Sequence, residues 1–164
     1  MRIAVIDSSP LIHLTHLDLC RELVLFFDVV YIPRAVHREV NRKARFRHRL
    51  RKLYKTGRFV RCTAADVINV RLLLADVDEG EAEALVQARE KSATFFVGDE
   101  KPAREIGEKL GLKCVGTIRL LARLGREGRA AEPRSLVHKL QRDLGFRVTE
   151  EVLDQAIAMS AEPI

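Results

Sequence analysis

Cysteine is too scarce and too scattered in this sequence to staple anything. Cys20, Cys62 and Cys114 are odd in number, far apart and without a C-x-x-C pair. That excludes a zinc ribbon and a disulfide framework, and it leaves the reduced thiols expected of a cytoplasmic protein. Long apolar runs are missing too. None approaches the roughly 20 residues that span a bilayer, so no membrane partner is expected. Asp7 interrupts the N-terminal apolar stretch and no small-residue cleavage site follows, so the start does not read as a secretory signal. There is no glycine-rich phosphate loop, no H-E-x-x-H and no G-x-S-x-G elbow, which argues against a P-loop enzyme, a zincin and a serine hydrolase. His13 and His16, three apart, read as surface positions of a helix. No Pro-, Gly- or Ser-rich linker and no repeat interrupts the 164 residues. One domain is the expectation, with a core over 1–128 and a helical extension over 129–164.

Acid is absent from one place in particular. Residues 42–58 hold nine Lys/Arg and no Asp or Glu, and without them the chain has 20 basic against 23 acidic residues. The net charge of +6 is therefore a local feature, of the kind polyanionic partners use. Phe46, Leu50, Leu53 and Tyr54 fall at helical spacing inside the run. One helix would then offer a packing stripe and a cationic face carrying Arg42, Arg45, Arg49 and Lys52, for RNA or a protein partner.

Short β-rich runs alternate with helical patterns, the signature of βαβ units and an α/β fold with a parallel sheet. Strands are expected at 2–6, 29–32, 59–62, 94–97 and 113–115. Helices are expected at 11–23, capped by Ser9 with Pro10 following, at 33–44, through the basic run, and at 66–75 and 79–91. Further helices are expected at 102–110, closed by Gly111, at 117–126, at 134–144, closed by Gly145, and at 150–159.

Two strands end in an aspartate, Asp7 and Asp99, where open parallel sheets form their sites. Glu81 heads the apolar stripe Ala84–Leu85–Ala88, whereas Glu79 and Glu83 fall on the outer side of the same helix. Glu39, with Ala35, Val36 and Val40 around it, reads as a second inward glutamate. An unpaired inward carboxylate costs several kcal/mol, and four convergent ones need a counter-charge. A hard divalent cation, Mg²⁺ or Mn²⁺, is the natural one, and such a site suits phosphodiester hydrolysis.

The blocks IAVIDSSPLIHL, VYIPRAVHREV, DEGEAEAL and FFVGDEKPAREIGEKLGLKCVGTIRLL, in that order, resemble a PIN-domain protein. The nearest likeness is to the prokaryotic subgroup with a D-[ST]-S-P-L-I start and a G-E-x-E-A helix. The resemblance implies a twisted parallel β-sheet sandwiched by α-helices and one or two Mg²⁺ or Mn²⁺ ions. By position, it implies that Asp7, Glu39, Glu81 and Asp99 are the catalytic and metal-binding acids, with Ser9 and Glu100 in support. It further implies a metal-dependent endoribonuclease, the toxin of a toxin–antitoxin pair, with RNA and a small antitoxin as partners. A competing use of the basic helix is to dock that antitoxin or a second copy of the chain in a homodimer. Two departures from the subgroup stand out. The second acid of the last block is Glu100, where the subgroup has aspartate, and Arg119 replaces the glycine of a G-T-x-G turn. A catalytically silent PIN-like module that binds RNA or protein is the rival reading. A receiver-like phospho-acceptor fits poorly, because Lys113 precedes Cys114–Val115 in the late strand instead of following them.

Overall fold

The computed structural model describes Met1–Ile164. Five strands, β1 (Ile3–Ile6), β2 (Val29–Pro33), β3 (Phe59–Cys62), β4 (Phe95–Val97) and β5 (Lys113–Val115), form one parallel sheet in the order β3-β2-β1-β4-β5. Helices flank it, and the α/β expectation holds. Register explains how so short a sheet is covered on both faces. Tyr31, Val5, Phe96 and Cys114 lie opposite one another across β2, β1, β4 and β5, so they share one face. Val5 and Phe96 join Ala84, Leu85, Ala88 and Ala103 in a buried cluster beneath helices α5 (Glu79–Glu90) and α6 (Lys101–Lys109). Ala4, Val5 and Ile6 are all fully buried, as a central strand with both faces covered requires. Truncating Phe96 to alanine there would cost about 3–5 kcal/mol.

The first expected helix is shorter than its pattern. Helix α1 runs Ser8–His16, and a 3₁₀ segment, Cys20–Leu25, follows separately. Asp18 causes the break. It adopts a left-handed φ of 63°, the Leu19 amide donates to Leu14 O and the Asp18 amide to Thr15 O. This is a Schellman closure made with aspartate where glycine is usual. Ser9 lies inside the first turn and Asp7 takes the cap position, which corrects the expected start. Gly111 and Gly145 do close their helices with φ of 79° and 69°.

Helices α2 (Arg34–Arg42), α3 (Ala44–Tyr54) and α4 (Val67–Leu73) complete the first of two compact units, Met1–Val115. The stripe of the basic run packs as expected: Phe46, Leu50 and Leu53 are buried, contributing about 1.5–3 kcal/mol each. The second unit, Gly116–Ile164, holds α7 (Thr117–Arg126), α8 (Pro133–Leu144) and α9 (Glu150–Ala158). Within it Arg119 pairs with Glu162 at 3.4 Å, and Arg123 donates to the carbonyls of Ser160 and Ala161 at 3.1 Å. Arg119 is thus engaged with the C-terminal segment. No helix is long and apolar enough to cross a membrane.

Candidate active site

Asp7 is the first residue past β1, and its amide donates to Val97 O at 2.9 Å, which ties the ends of β1 and β4 together. Strand alternation turns its side chain toward the face covered by α5. Glycine at position 80 allows close approach there: a Cβ on Gly80 would stand 3.2 Å from Asp7 Oδ1. Asp7 is 2% exposed, and its buried Oδ1 has no hydrogen-bond partner. Burial pushes the Asp7 carboxyl up to about 8; the Ser8 and Ser9 amides oppose the rise, and the Asp78 and Glu81 charges add to it.

Glu81 sits in the first turn of α5, inward as the stripe predicts and 5% exposed. Its backbone position is fixed by a capping box. The Glu81 amide donates to Asp78 Oδ1 at 2.9 Å, and Glu81 Oε2 accepts from the Asp78 amide at 3.1 Å. The other carboxylate oxygen, Oε1, is buried and has no partner. Burial is the main cause of the raised Glu81 pKa, opposed by the Asp78 amide and reinforced by the charges of Asp78 and Glu100.

Asp99 lies two residues past β4, joined to it by Gly98, where a Cβ would come within 2.3 Å of the Phe96 ring. Its Oδ2 is 3.0 Å from His13 Nδ1, with both side chains mostly buried. His13 is therefore not the surface residue its spacing suggested. Helix α1 buries Pro10 through Thr15 without a break, so it has no polar face there to carry the ring. An all-round apolar helix with one ring in it was the signal that could have marked His13. Asp78 was also missed, although D-x-x-E before an apolar run is a legible capping signature.

Two expectations need correction. Glu39 is exposed, flanking the buried line Ala35, Val36 and Val40 without joining it. A residue about 60° from Val36 and 100° from Val40 can face solvent when the neighbouring helix covers only the centre of the stripe. Glu83 is half-buried, not outer: its Oε2 accepts from the Ala35 amide at 2.8 Å and so caps α2, which has no side-chain cap of its own. Helix α5 packs against α2, α4, α6 and the sheet, which leaves it little outer face.

At the carboxyl ends of β1 and β4, Asp7 is thus opposed by the charges of Asp78 and Glu81, and Glu81 by those of Asp78 and Glu100. Asp99 adjoins Glu100 in the chain and faces His13. No three Asp, Glu, His or Cys side chains stand close enough to hold one ion in these rotamers. The donor chemistry nevertheless fits a hard cation. Asp7 Oδ1 and Glu81 Oε1 are buried oxygens without a hydrogen to satisfy them, and Mg²⁺ is commonly held by one or two carboxylates with water filling the remaining positions.

Residues 3–162 match a family model described as a PIN domain. The chain belongs to the PIN-domain family. PIN domains are generally nucleases, they interact with nucleic acid, and the nucleases among them typically use divalent metals. A comparison with curated proteins gives no significant match.

The basic residues of this PIN domain do not form the single face that their helix suggested. Arg49 donates to the Thr15 and His16 carbonyls at the end of α1. Arg45 lies over the Phe46 ring at 4.7 Å, and Lys52 lines a concavity with Arg21, Lys55 and Arg58. Arg42 lines a larger groove of about 670 Å³ with four other arginines. Charges surround α3 and its buried stripe takes one side, so the cations leave on different flanks.

Proposed function

We propose that this protein is a metal-dependent endoribonuclease whose centre lies beyond the carboxyl ends of β1 and β4. The pair of buried, unpartnered carboxylate oxygens, Asp7 Oδ1 and Glu81 Oε1, carries the reading. Asp7 and Glu81 would hold Mg²⁺ or Mn²⁺, with Asp99 and Glu100 completing the acidic set; Glu39, exposed on α2, stays outside it. When bound, the ion lowers the pKa of an attacking water and neutralises charge that develops on the phosphate oxygens. Asp99, steadied by His13, would orient a water for attack on phosphorus. The new P–O bond forms as the scissile P–O bond breaks, the water's proton passes by way of the Asp99 carboxylate to solvent, and the leaving oxygen takes a proton from solvent. Ser9 and Glu100 supply outer hydrogen bonds. The capping box fixes the backbone of Glu81 while leaving one of its oxygens for the ion, and burial keeps competing water out.

The finer reading is that the enzyme acts as the toxin of a toxin–antitoxin pair, held inactive by a small antitoxin. The motif resemblance over the four acidic blocks supports it. Induced expression should then arrest growth, and Asp99→Asn should lift the arrest. Growth unaffected by the wild type would reject the toxin role.

Purified protein with single-stranded RNA and Mn²⁺ tests the enzyme directly. Cleavage is expected, abolished by EDTA and by Asp7→Asn. RNA binding without cleavage under any divalent ion would favour the silent module instead.

A further inference from the structure

The groove beyond the carboxyl ends of β2 and β3 is lined by Arg34, Arg38, Arg42, Arg47 and Arg61, with His37 beside them and no acid among the lining residues. Arg34, Arg38 and Arg42 recur every four residues on one side of α2, Arg47 comes from α3, and Arg61 lies within β3. Three successive elements therefore turn guanidinium groups into one groove of about 670 Å³. Two of the five are braced. Arg47 Nε donates to Asn41 O at 2.9 Å, and Arg38 pairs with Glu79. His37 accepts or donates a hydrogen bond at Tyr54 Oη, 2.8 Å away. Burial and Arg61 lower its pKa below the usual 6.5, so near neutral pH the positive charge of the groove is that of its arginines.

We infer that this five-arginine groove grips the sugar–phosphate backbone of a single RNA strand and leads it to the acidic centre; the inference rests on the nuclease reading of that centre. The guanidinium fork matches phosphate oxygens two at a time and stays charged at any working pH. Position supports a strand rather than an isolated anion. The sheet places β2 beside β1, so groove and acids share one edge. Arg38, on the groove side, pairs with Glu79, two residues before Glu81. A polyanion leaving the groove in that direction meets the acids, and it needs a cation there to continue. An acidic protein segment would find the same arginines but would be repelled by the adjoining carboxylates, with no metal-bound phosphate to offset them.

The test compares wild type with a groove variant, Arg34→Gln/Arg42→Gln/Arg61→Gln, and with a variant of equal charge loss elsewhere, Arg71→Gln/Arg89→Gln/Lys109→Gln. Binding of an end-labelled oligouridylate is measured over a range of salt in EDTA, so that no cleavage intervenes. The groove variant should bind about tenfold or more weakly at low salt. Its log–log salt slope should be shallower by about two units, given about −0.7 per phosphate contact, while the second variant keeps the wild-type slope. A groove variant that melts like wild type yet keeps the wild-type slope overturns the inference, and so do equal losses in both variants. If the triple variant does not fold, Arg34→Gln and Arg61→Gln singly should each flatten the slope by about 0.7. Polyglutamate binding the groove as tightly as oligouridylate would reject RNA as the occupant. Cleavage with Mn²⁺ is scored separately. Groove-dependent binding without cleavage refutes the nuclease reading alone, whereas cleavage with groove-independent binding refutes the groove alone.

Discussion

One edge of one sheet carries two opposite chemistries. Beyond β1 and β4 the chain gathers Asp7, Asp78, Glu81, Asp99 and Glu100; beyond β2 and β3 it gathers five arginines. The two ends differ in burial as much as in sign. Asp7 and Glu81 are withdrawn from water and their carboxyl groups are raised, because desolvated like charges oppose ionisation. The arginines are exposed, and a delocalised guanidinium keeps its charge without help. On the proposed reading the acidic end needs a counter-ion to ionise fully, while the basic end carries its charge without one.

The largest effect should come from Glu81→Gln. Glutamine can still accept the Asp78 amide and keep the capping box, so the fold should survive while cleavage falls by at least about 10²-fold, the scale of losing one group that stabilises transition-state charge. Circular dichroism and an RNA cleavage assay read both quantities. Retained activity would mean that the acidic end is not the catalytic one.

A pH titration in EDTA sharpens the contrast. The Asp7 pKa is raised from 3.8 to about 8, so the native state holds a proton that the unfolded chain has lost. This contribution to stability is full below about pH 4 and is lost as pH rises through about 8. Asp7→Asn should remove that slope. Mn²⁺ should restore stability at high pH in the wild type only, since a ligand of the native state adds RT ln(1 + [L]/Kd). Melting curves of both proteins with and without Mn²⁺ check this, and parallel pH profiles would reject a buried, protonated Asp7.

Glu83→Ala separates structure from chemistry on the helix that bears Glu81. It removes the acceptor for the Ala35 amide, at a cost of about 1 kcal/mol and about 2–4 °C in Tm, with cleavage unchanged once the protein is folded. A loss of activity out of proportion to the shift in Tm would move Glu83 into the centre. Smallest of all should be Glu79→Gln, which releases Arg38 at the junction of the two ends. Exposed pairs contribute little, so RNA affinity should rise by only a few-fold, and a loss of affinity would show that Glu79 helps to place the strand.

Much of the fold was legible because local patterns and tertiary packing agree. The five strands, the Gly111 and Gly145 closures and the Phe46–Leu50–Leu53 stripe need only periodicity and turn chemistry. The inward placement of Glu81 was legible for the same reason: its helix follows one clear stripe. Glu39 misled because a residue on the flank of a stripe can go either way, and only the neighbouring helix decides. Glu83 and His13 misled for the opposite reason, since helices covered on several sides have no outer face to assign.

By itself the sequence determined the alternating α/β order, the two aspartates at strand ends and the concentration of charge in 42–58, because these depend on residues near one another in the chain. The tertiary structure decided how the cations are shared out. It turned Arg49 onto the end of α1, set Arg45 over Phe46, and joined Arg42 to Arg34, Arg38, Arg47 and Arg61. Which flank of a helix faces a groove depends on where its neighbours pack. That is fixed by strand order and helix contacts between residues far apart in sequence, which no local pattern records.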